Sequence, residues 1–362
     1  MLDGIRIVEV EGLGPGPFAG MMLADLGADV IVVHRKSGGA NPAKGAENLL
    51  DRGKRSIALD LKDAADAQLF KRIVATADGL IEGFRPGVME RLGLGPEDLK
   101  AVAPSLVYGR MTGWGQDGPR AEQAGHDLNY LGLSGALWYA SPPGQPPQTP
   151  PTLVGDIGGG AMYLVAGVLA GLLRAKTTGQ GCVVDASIVD GSAHMMALLM
   201  SLQSARALNE TRGQSLLDGP HWSRCYACAC GGYLSVQALE PQFYAQFLDL
   251  AGLSDDPAFA AQHDAALWPE QAARLETLFA AEPLSHWLAV FEGSDACVAP
   301  VLSPWQARED DHVAARGVWV EGPGGLQPRA APRFDGRMPD IPGKVPGRDA
   351  DRDAILKDLE NG

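Results

Sequence analysis

Continuous apolar runs alternate with helix-like segments along the first half of the chain, and this alternation limits the possible folds more than any other feature. Strand-like runs occupy residues 5–10, 29–33, 79–82, 105–110 and 182–190, and helical patterns occupy 17–27, 64–77, 157–176 and 191–208. The runs are apolar at nearly every position, which is typical of parallel strands that helices cover on both faces. The sequence therefore predicts an α/β fold built on a parallel sheet, with the all-apolar helix 157–176 buried.

A second domain of different composition follows. Beyond about residue 220 the predicted order is a strand, three helices and a strand, at 232–238, 241–252, 269–281, 284–292 and 296–301. This mixed order predicts a smaller α+β domain. The tail is rich in Pro, Gly and Arg and ends in a predicted helix at 350–359. We assign residues 1–208 to a large domain, 209–324 to a linker and the small domain, and about 325–362 to a segment that returns to the large domain.

The balance of charge narrows the possible partners. The chain has 30 Lys and Arg against 44 Asp and Glu, a net charge of −14, which argues against a nucleic acid or an anionic membrane as partner. Residues 34–62 depart from this average with seven basic residues against three acidic ones. The seven are Arg35, Lys36, Lys44, Arg52, Lys54, Arg55 and Lys62. A basic segment in an acidic protein predicts a bound phosphate group, and a solvated basic surface is the alternative.

Targeting signals, disulfides and metal sites are not expected. The sequence shows neither a signal peptide at its start nor a peroxisomal tag at its end, so a cytoplasmic protein is expected. The uncharged run 157–173 approaches the length of a membrane span, but five of its residues are Gly, and a helix inside the protein is expected. Cys225, Cys228 and Cys230 lie close in sequence without a fourth ligand at a usable spacing, so no metal is expected.

The turn after the first predicted strand has a weak nucleotide-binding pattern. Gly14, Gly16 and Ala19 match the spacing G-x-G-x-x-A, but prolines occupy its flexible positions. The second strand ends in VVHRK and lacks the acidic residue that binds a ribose. Close packing of a helix on the sheet is the better interpretation, and a nicotinamide-dependent oxidoreductase is a remote alternative.

Two segments carry side chains suited to proton transfer. His126 lies in AGHDLNY, in a loop after the strand 105–110, and imidazole titrates near neutral pH. Asp156 precedes three glycines at the start of the helix 157–176. An N-cap is the ordinary role of such an aspartate, but free N–H groups there could also stabilise an oxyanion, and the glycines would let a ligand approach the backbone. Glu240 starts a predicted helix, where capping alone would explain an acid.

Longer motifs show a resemblance that covers residues 4–335. The resemblance is to the class III CoA-transferase (CaiB/BaiF) superfamily and rests on GIRIVEVEGLGPGPFAGMMLADLGADVI, RLGLGPEDL, GRMTGWGQDGPRAEQAGHDLNY, LVGDIGGGAMYL, VDASIVDGS, ALEPQFY, DACVAPV and APRF. The segment Gly125-His126-Asp127, together with Asp156, is similar to the α-methylacyl-CoA racemase branch, because the transferases usually have another residue in place of His126.

The resemblance implies a Rossmann-like large domain and an interlocked homodimer, with an active site where one subunit's large domain meets the other's small domain. It also implies an acyl-CoA thioester substrate and no separate cofactor. His126 and Asp156 would exchange the α-proton of (R)- and (S)-2-methylacyl groups through an enolate, Asp127 belongs to the same catalytic segment, and Glu240 would support His126. The implied CoA-binding residues are Arg35, Leu59, Asp60, Leu61, Lys62, Gly83, Phe84, Arg85 and Arg91, and the thioester would be lined by Gly125, Leu128, Asn129 and Tyr130.

The position of the enolate donors and the type of activity stay open in the sequence. Donors for the enolate oxygen are expected near the start of the helix 158–175. A class III CoA-transferase is one alternative, in which Asp156 attacks the thioester as a nucleophile and a second acid accepts CoA. A protein that binds CoA esters without turnover is another.

Overall fold

The computed structural model describes residues 1–37, 48–229, 231–322, 324–340 and 343–361. Lys44 and Cys230 lie outside these ranges. The strands are β1 Arg6–Val10, β2 Asp29–Arg35, β3 Arg55–Leu59, β4 Gly79–Glu82, β5 Val107–Thr112, β6 Cys182–Ser187, β7 Ser223–Ala227, β8 Tyr233–Gln237, β9 Val298–Pro300, β10 Trp319–Gly322 and β11 Gly325–Pro328. The helices are α1 Pro15–Asp25, α2 Ala64–Val74, α3 Val88–Arg91, α4 Pro96–Lys100, α5 Asp127–Ser134, α6 Met162–Thr178, α7 Ile188–Met195, α8 Ala197–Met200, α9 Pro241–Leu250, α10 Trp268–Ala280, α11 Leu284–Phe291, α12 Pro304–Ala307, α13 Asp311–Ala315 and α14 Arg352–Asn361, and a π-helix Leu153–Ala161 directly precedes α6.

The chain forms two compact units. The first unit consists of Met1–Ala136, Pro150–Met195 and Ala315–Gly362, and the second of Leu137–Thr149 and Met196–Ala314. The main part of the second unit begins at Met196 and ends at Ala314, whereas the predicted domain boundaries lie at 208/209 and 324/325. The second unit also includes 137–149, which the prediction assigned to the large domain.

A parallel sheet of six strands organises the first unit, which confirms the predicted α/β class. Its strand order is β3-β2-β1-β4-β5-β6, and every neighbouring pair is parallel. The chain moves outward to one side through β2 and β3 and to the other through β4, β5 and β6. The point where the order reverses lies between β1 and β4, and ligands of such sheets bind outside the carboxyl ends of the strands at this point.

Successive residues of β1 show why the strands are apolar at every position. Ile7 packs on one face of the sheet in a core that includes Leu23 of α1 and Leu164 of α6. Val8 packs on the other face, in a core that includes Phe70 of α2 and Ile355 of α14. Neighbouring side chains of a strand point to opposite faces, so a strand covered on both sides must be apolar throughout.

The edge strand β3 is closed by the C-terminal segment. The backbone N–H groups of Ser56 and Ala58 donate to the carboxylates of Asp351 and Asp349, at 2.8 and 2.7 Å. An open strand edge invites pairing with another chain, and these side chains satisfy it instead. Sequence analysis missed β3, because its short run RSIAL lies in a highly charged stretch.

Lys54, in the predicted basic segment, forms a buried ion pair within the fold. Lys54 Nζ contacts Glu9 Oε2 at 2.6 Å, and both side chains are buried. Lys54 also donates to the Pro17 carbonyl oxygen at 3.1 Å, and a Cβ at Gly20 would overlap the Glu9 carboxylate. Burial raises the pKa of Glu9 to about 7, against the opposing charge of Lys54. This pair therefore locks the first turn of α1 to β1.

Arg52 and Arg55 are also paired within the fold. Arg52 contacts Asp25 at 2.6 Å, and Arg55 contacts Asp29 at 2.5 Å. The interpretation of the whole basic segment as a phosphate site is therefore wrong for these residues, because folded-state carboxylates neutralise them.

The long apolar helix is less buried than predicted. It begins as the π-helix and continues as α6, and its inner face places Leu164 and Val168 in the core. Its outer face leaves Met162 and Leu173 exposed by 41% and 70%. Within the described residues, Leu153–Thr178 is long and apolar enough to cross a membrane, with a mean hydropathy of 1.6. Packing on the sheet accounts for the apolar character of its inner face.

The stretch predicted as one helix over 191–208 is broken. Helix α7 ends at Met195, α8 spans four residues, and a 3₁₀ turn Ser201–Gln203 follows. The second unit then builds an antiparallel sheet in the order β7-β8-β9 around an aromatic core. His221 lies in that core with its Nε2 2.7 Å from the Tyr244 hydroxyl, and burial lowers the pKa of His221 to about 3.

The buried pair yields a stability prediction. We expect Lys54→Met to lower the free energy of unfolding by about 3–5 kcal/mol, because it leaves Glu9 buried without its partner. Lys176→Met is the control, since it breaks the exposed 2.9 Å pair with Asp78 and should cost about 0–1 kcal/mol. Thermal unfolding of the two variants measures the difference, and equal losses would contradict it.

Candidate active site

Several of the predicted site residues follow the strands at the carboxyl edge of the sheet. Arg35 ends β2, Leu59 ends β3, and Gly83 comes directly after β4. Strands β2 and β4 flank β1, whose own end leads into the turn that carries Gly14, and β3 lies beyond β2. Parallel strands end at one edge, so the fold brings residues far apart in sequence to the same side of the first unit.

His126 is fixed at the start of α5. It is the N-cap residue of that helix, in an extended conformation, and its carbonyl oxygen accepts from the Asn129 N–H at 2.7 Å. The Asn129 side chain in turn accepts from the His126 N–H at 3.0 Å. The imidazole makes no cap hydrogen bond and is exposed. The backbone of His126 is therefore held while its ring stays accessible.

Asp156 is not the N-cap that an ordinary helix start would make it. Thr152 is the N-cap residue, and Asp156 lies in the first turn of the π-helix. Its N–H donates to Asp127 Oδ1 at 2.9 Å, and its Oδ2 is 3.6 Å from where a Cβ on Gly14 would lie. The capping alternative is therefore wrong. A π-helical turn is rare and is frequently found at functional sites.

The surroundings of Asp156 favour its neutral form. Burial and the nearby Asp127 carboxylate raise its pKa to about 6, and His126 opposes them with a smaller effect. Asp127 is itself buried beneath the start of α5. A carboxyl group with a pKa near 6 can both donate and accept a proton at neutral pH, which an ordinary aspartate does poorly. The hydrogen bond from the Asp156 N–H to Asp127 joins Asp156 to the residue that follows His126.

Two of the three glycines after Asp156 let helices pack closely. A Cβ on Gly159 would overlap Ser192 of α7, and one on Gly160 would lie 2.9 Å from Ile188 Cγ1. On the other side, a Cβ on Gly155 would overlap Asp127 Oδ1. The expectation that these glycines let a ligand reach the backbone is wrong for Gly159 and Gly160, because protein atoms already fill that space, whereas a Cβ on Gly158 would meet no atom closer than 3.4 Å.

Among the described residues, backbone N–H groups without a partner lie at the start of α5 and not at the start of the helix 158–175. The Asp156 N–H is used by Asp127, and the Ile157 N–H donates to Thr152 O at 3.0 Å. The N–H groups that follow bond within the π-helix, so the predicted donors are occupied. In the described part of the chain, no acceptor contacts the N–H of Asp127 or Leu128, which are first-turn groups of α5 beside His126.

Tyr130 and Trp114 pack together against Gly125. Their rings meet edge to face with centroids 4.6 Å apart, and the Tyr130 hydroxyl donates to the Gly125 carbonyl oxygen. Burial and the charge of Asp156 raise the pKa of Tyr130, and Arg85 lowers it. Leu128, also predicted to line the thioester, is 56% exposed.

The predicted CoA-binding residues comprise four cations and the residues of neighbouring loops and strand ends. Arg35, Lys62, Arg85 and Arg91 are exposed. Arg35 Cζ lies 5.6 Å from the centre of the Phe84 ring. Leu61 packs against the core, and Leu59 is buried in it. The Asp60 N–H donates to Asp66, and the Asp60 carboxylate accepts from the Lys62 N–H at 3.1 Å, which fixes the loop after β3.

Sequence analysis missed a network of charged side chains near the carboxyl ends of β4 and β5. Glu82 is buried at the end of β4, accepts from the Phe84 N–H at 2.7 Å, and lies 3.1 Å from Arg110. Arg110 also contacts Glu90 at 2.7 Å. Burial raises the pKa of Glu82 to about 7. The signal in the sequence was the pair of charged residues inside the apolar strands GLIE and VYGR.

Glu240 belongs to the second unit and begins α9. It occupies the N-cap position, but its side chain makes no cap hydrogen bond, so capping does not explain it. Its role toward His126 stays a prediction. Within the described ranges, no group of three or more His, Cys, Asp or Glu side chains is arranged to hold a metal ion.

Comparison with known proteins identifies the class. The family model of CoA-transferase family III matches residues 2–352, and the chain belongs to this family. Among its relatives, an alpha-methylacyl-CoA racemase of Mus musculus is 41% identical, over 94% of this chain and 88% of its own length. The Homo sapiens protein of that name is 39% identical, over 91% and 86%. A CAIB/BAIF family protein from Brucella suis has a similar structure, with a TM-score of 0.84, 26% identity and 99% of both chains covered.

The raised pKa of Asp156 yields a prediction about stability and pH. Its value of about 6 in the fold exceeds the ordinary 3.8, so the ionised carboxyl group destabilises the folded state above pH 6. We expect Asp156→Asn to raise the melting temperature at pH 8, with a gain that shrinks as the pH falls below 6.

Asp63→Asn is the control for this measurement. Asp63 caps α2 through its side chain, and asparagine is an equally good cap, so little change is expected at any of these pH values. A lower melting temperature of Asp156→Asn at pH 8 would contradict the assignment.

Proposed function

We propose that this protein is a racemase that interconverts (R)- and (S)-2-methylacyl-CoA thioesters. The observation that carries the proposal is the 2.9 Å hydrogen bond from the Asp156 N–H to Asp127 Oδ1, which joins Asp156 to the residue next to His126. Beside it, the Asp156 carboxyl group has a pKa of about 6, which suits proton transfer in both directions. Family membership and the names of the mouse and human relatives support the same activity.

Two groups must act on opposite faces of the α-carbon. A thioester acidifies its α-proton, but removal of that proton leaves an enolate that needs stabilisation. One group removes the proton from one face, and the other returns a proton to the opposite face. His126 and Asp156 exchange these two roles according to the configuration of the substrate. The unbonded N–H groups of Asp127 and Leu128 lie beside His126, and we assign the enolate oxygen to them.

The CoA portion of the substrate binds along the carboxyl edge of the sheet. We assign its phosphates to the exposed cations Arg35 at the end of β2, Lys62 after β3, Arg85 after β4 and Arg91 at the end of α3. Gly83 and Phe84 belong to the loop that follows β4. The thioester then lies against Gly125 and Tyr130, near the acid–base pair. The reaction needs only proton transfer, so CoA is part of the substrate and no separate cofactor is proposed.

The proposed enzyme is a homodimer of the cytoplasm. Exposed apolar side chains of the first unit, including Leu173 at 70% and Val183 at 50%, support a partner surface. In an interlocked dimer, Glu240 of one subunit would support His126 of the other. Cys182, Cys225, Cys228 and Cys297 are free thiols, which supports a reducing compartment.

A solvent-exchange experiment tests the activity. We expect a 2-methylacyl-CoA incubated in D₂O to gain deuterium at the α-carbon and to epimerise without an added acceptor acid. His126→Ala and Asp156→Asn should each slow epimerisation by a factor of about 10²–10⁴, because each removes one acid–base group. Each variant retains the base for one face, so the two should favour opposite isomers in α-hydrogen exchange.

Asp63→Asn again serves as the matched control and should epimerise at the parental rate. Near-parental epimerisation in either site variant would show that the pair is structural. If exchange is absent while CoA passes to an added carboxylate, Asp156 acts as the nucleophile of a CoA-transferase and the racemase proposal fails.

A further inference from the structure

The hydrogen-bond ladder between β1 and β2 ends before β2 does. The register of the two strands runs out at Val10 and Val33, but β2 continues to Arg35, which pairs with Leu59 of β3 on its other side. Alternate residues of a parallel strand direct both backbone groups to the same neighbour. The N–H and C=O of Arg35 therefore face the side where β1 has ended, and need other partners.

Two side chains take the place of the missing strand. The Arg35 N–H donates to Glu11 Oε2 at 2.8 Å, and Arg348 Nη1 donates to the Arg35 carbonyl oxygen at 2.5 Å. Arg348 and Glu11 are themselves joined, by Nη2 to Oε1 at 2.7 Å and Nη1 to Oε2 at 3.3 Å. Both backbone groups of Arg35 are thus held by one ion pair, which we call the Glu11–Arg348 clamp.

The Glu11–Arg348 clamp carries charge at all ordinary pH values. Burial favours the neutral form of Glu11, but the His34 ring, with Nδ1 3.3 Å from Glu11 Oε1, and the hydrogen bonds from Arg348 and the Arg35 N–H outweigh it and lower the pKa of Glu11 to about 2. The Glu11 side chain is 17% exposed and that of Arg348 36%. A two-point pairing of guanidinium with carboxylate, partly removed from water, fixes geometry better than a single exposed contact.

Arg35 has a fixed backbone and a guanidinium that extends over the next loop. Its Cζ lies 5.6 Å from the centre of the Phe84 ring, which follows β4 on the other side of β1. Its side chain therefore crosses the end of β1, at the point where the strand order reverses. The direction it takes depends on the backbone that the Glu11–Arg348 clamp holds.

We propose that Arg348, from the C-terminal segment, is a positioning residue for CoA: with Glu11 it fixes the backbone of Arg35 so that the Arg35 guanidinium meets a phosphate of the nucleotide. This rests on the proposed function, which makes Arg35 a ligand of those phosphates. Arg348 acts through Arg35, since its own guanidinium is already taken by Glu11 and the Arg35 carbonyl oxygen.

Binding of CoA and of pantetheine, measured by calorimetry on the full chain, tests the inference without requiring turnover. Arg348→Ala should raise the dissociation constant of CoA by about tenfold, a loss of about 1.4 kcal/mol, and leave that of pantetheine unchanged because pantetheine lacks the nucleotide. In an Arg35→Ala background, Arg348→Ala should add less than about twofold, because the two residues act together. Glu11→Gln should shift CoA binding in the same direction as Arg348→Ala.

Arg352→Ala is the matched control. Arg352 lies in the same segment, pairs with Asp349 at 2.9 Å and donates to the Ala58 carbonyl oxygen at 2.5 Å, but does not contact Arg35. It should bind CoA like the parent. An equal loss in Arg352→Ala, or a loss for pantetheine equal to that for CoA, would assign the effect to docking of the C-terminal segment and overturn the inference.

The remaining outcomes separate the inference from the function on which it rests. If the full effect of Arg348→Ala persists in the Arg35→Ala background, Arg348 does not act through Arg35 and the inference fails. If the parent prefers CoA to pantetheine while Arg348→Ala leaves that preference intact, the inference fails and the CoA site stands. If the parent shows no such preference, the proposed nucleotide site fails and the inference fails with it.

Discussion

One hydrogen bond, from the Asp156 N–H to Asp127 Oδ1 at 2.9 Å, joins the two segments that carry the proposed acid–base pair. It ties the first turn of the π-helix to the start of α5, where His126 is the N-cap residue. The same Asp127 carboxylate also raises the pKa of Asp156. Burial is the larger cause of the raised pKa of Asp156, and the Asp127 side chain adds to it while also fixing the position of the Asp156 backbone. Gly155 is part of this arrangement, because a Cβ there would occupy the place of the Asp127 carboxylate.

Rigid support for the site comes from charged groups below the carboxyl edge of the sheet. Glu9 and Lys54 hold the turn after β1, and Glu82 holds the turn after β4 through the Phe84 N–H. Buried charges of this kind contribute little net stability, but they are costly to break singly and so define one arrangement of the loops. The loops that carry the proposed CoA ligands are thus held from beneath, and their exposed cations remain available for phosphates.

The sequence predicts the parts of this fold that depend on continuous apolar patterns. It predicts β1, β2, β4 and the helices α1 and α2, because their side chains must be buried over several consecutive residues. It misses β3, which is short and lies in a charged stretch. It cannot distinguish the π-helix from the start of an α-helix, because glycines carry no periodic side-chain pattern and the difference depends on packing against α5 and α7.

Candidate residues are easier to find in the sequence than their partners. His126 and Asp156 stand out by residue type, but the Asp127 contact that tunes Asp156 spans 29 positions of sequence. For the basic segment, the sequence suggests more candidate phosphate ligands than the fold leaves unpaired. Lys54 and Arg52 contribute to its charge in the sequence, yet they are neutralised by Glu9 and Asp25 once the chain folds. Charge counts along a sequence do not show which cations remain unpaired.

The most direct test of the proposed acid–base pair is the pH dependence of α-hydrogen exchange, measured separately for the two isomers of a 2-methylacyl-CoA. A base must be deprotonated to act, so exchange of the isomer that Asp156 serves should rise with pH through a midpoint near 6. Asp127→Asn should move that midpoint to lower pH, since it removes the negative charge that opposes ionisation of Asp156, and Asp156→Asn should abolish the rise. A rise that persists in Asp156→Asn, or a midpoint unmoved by Asp127→Asn, would contradict the account.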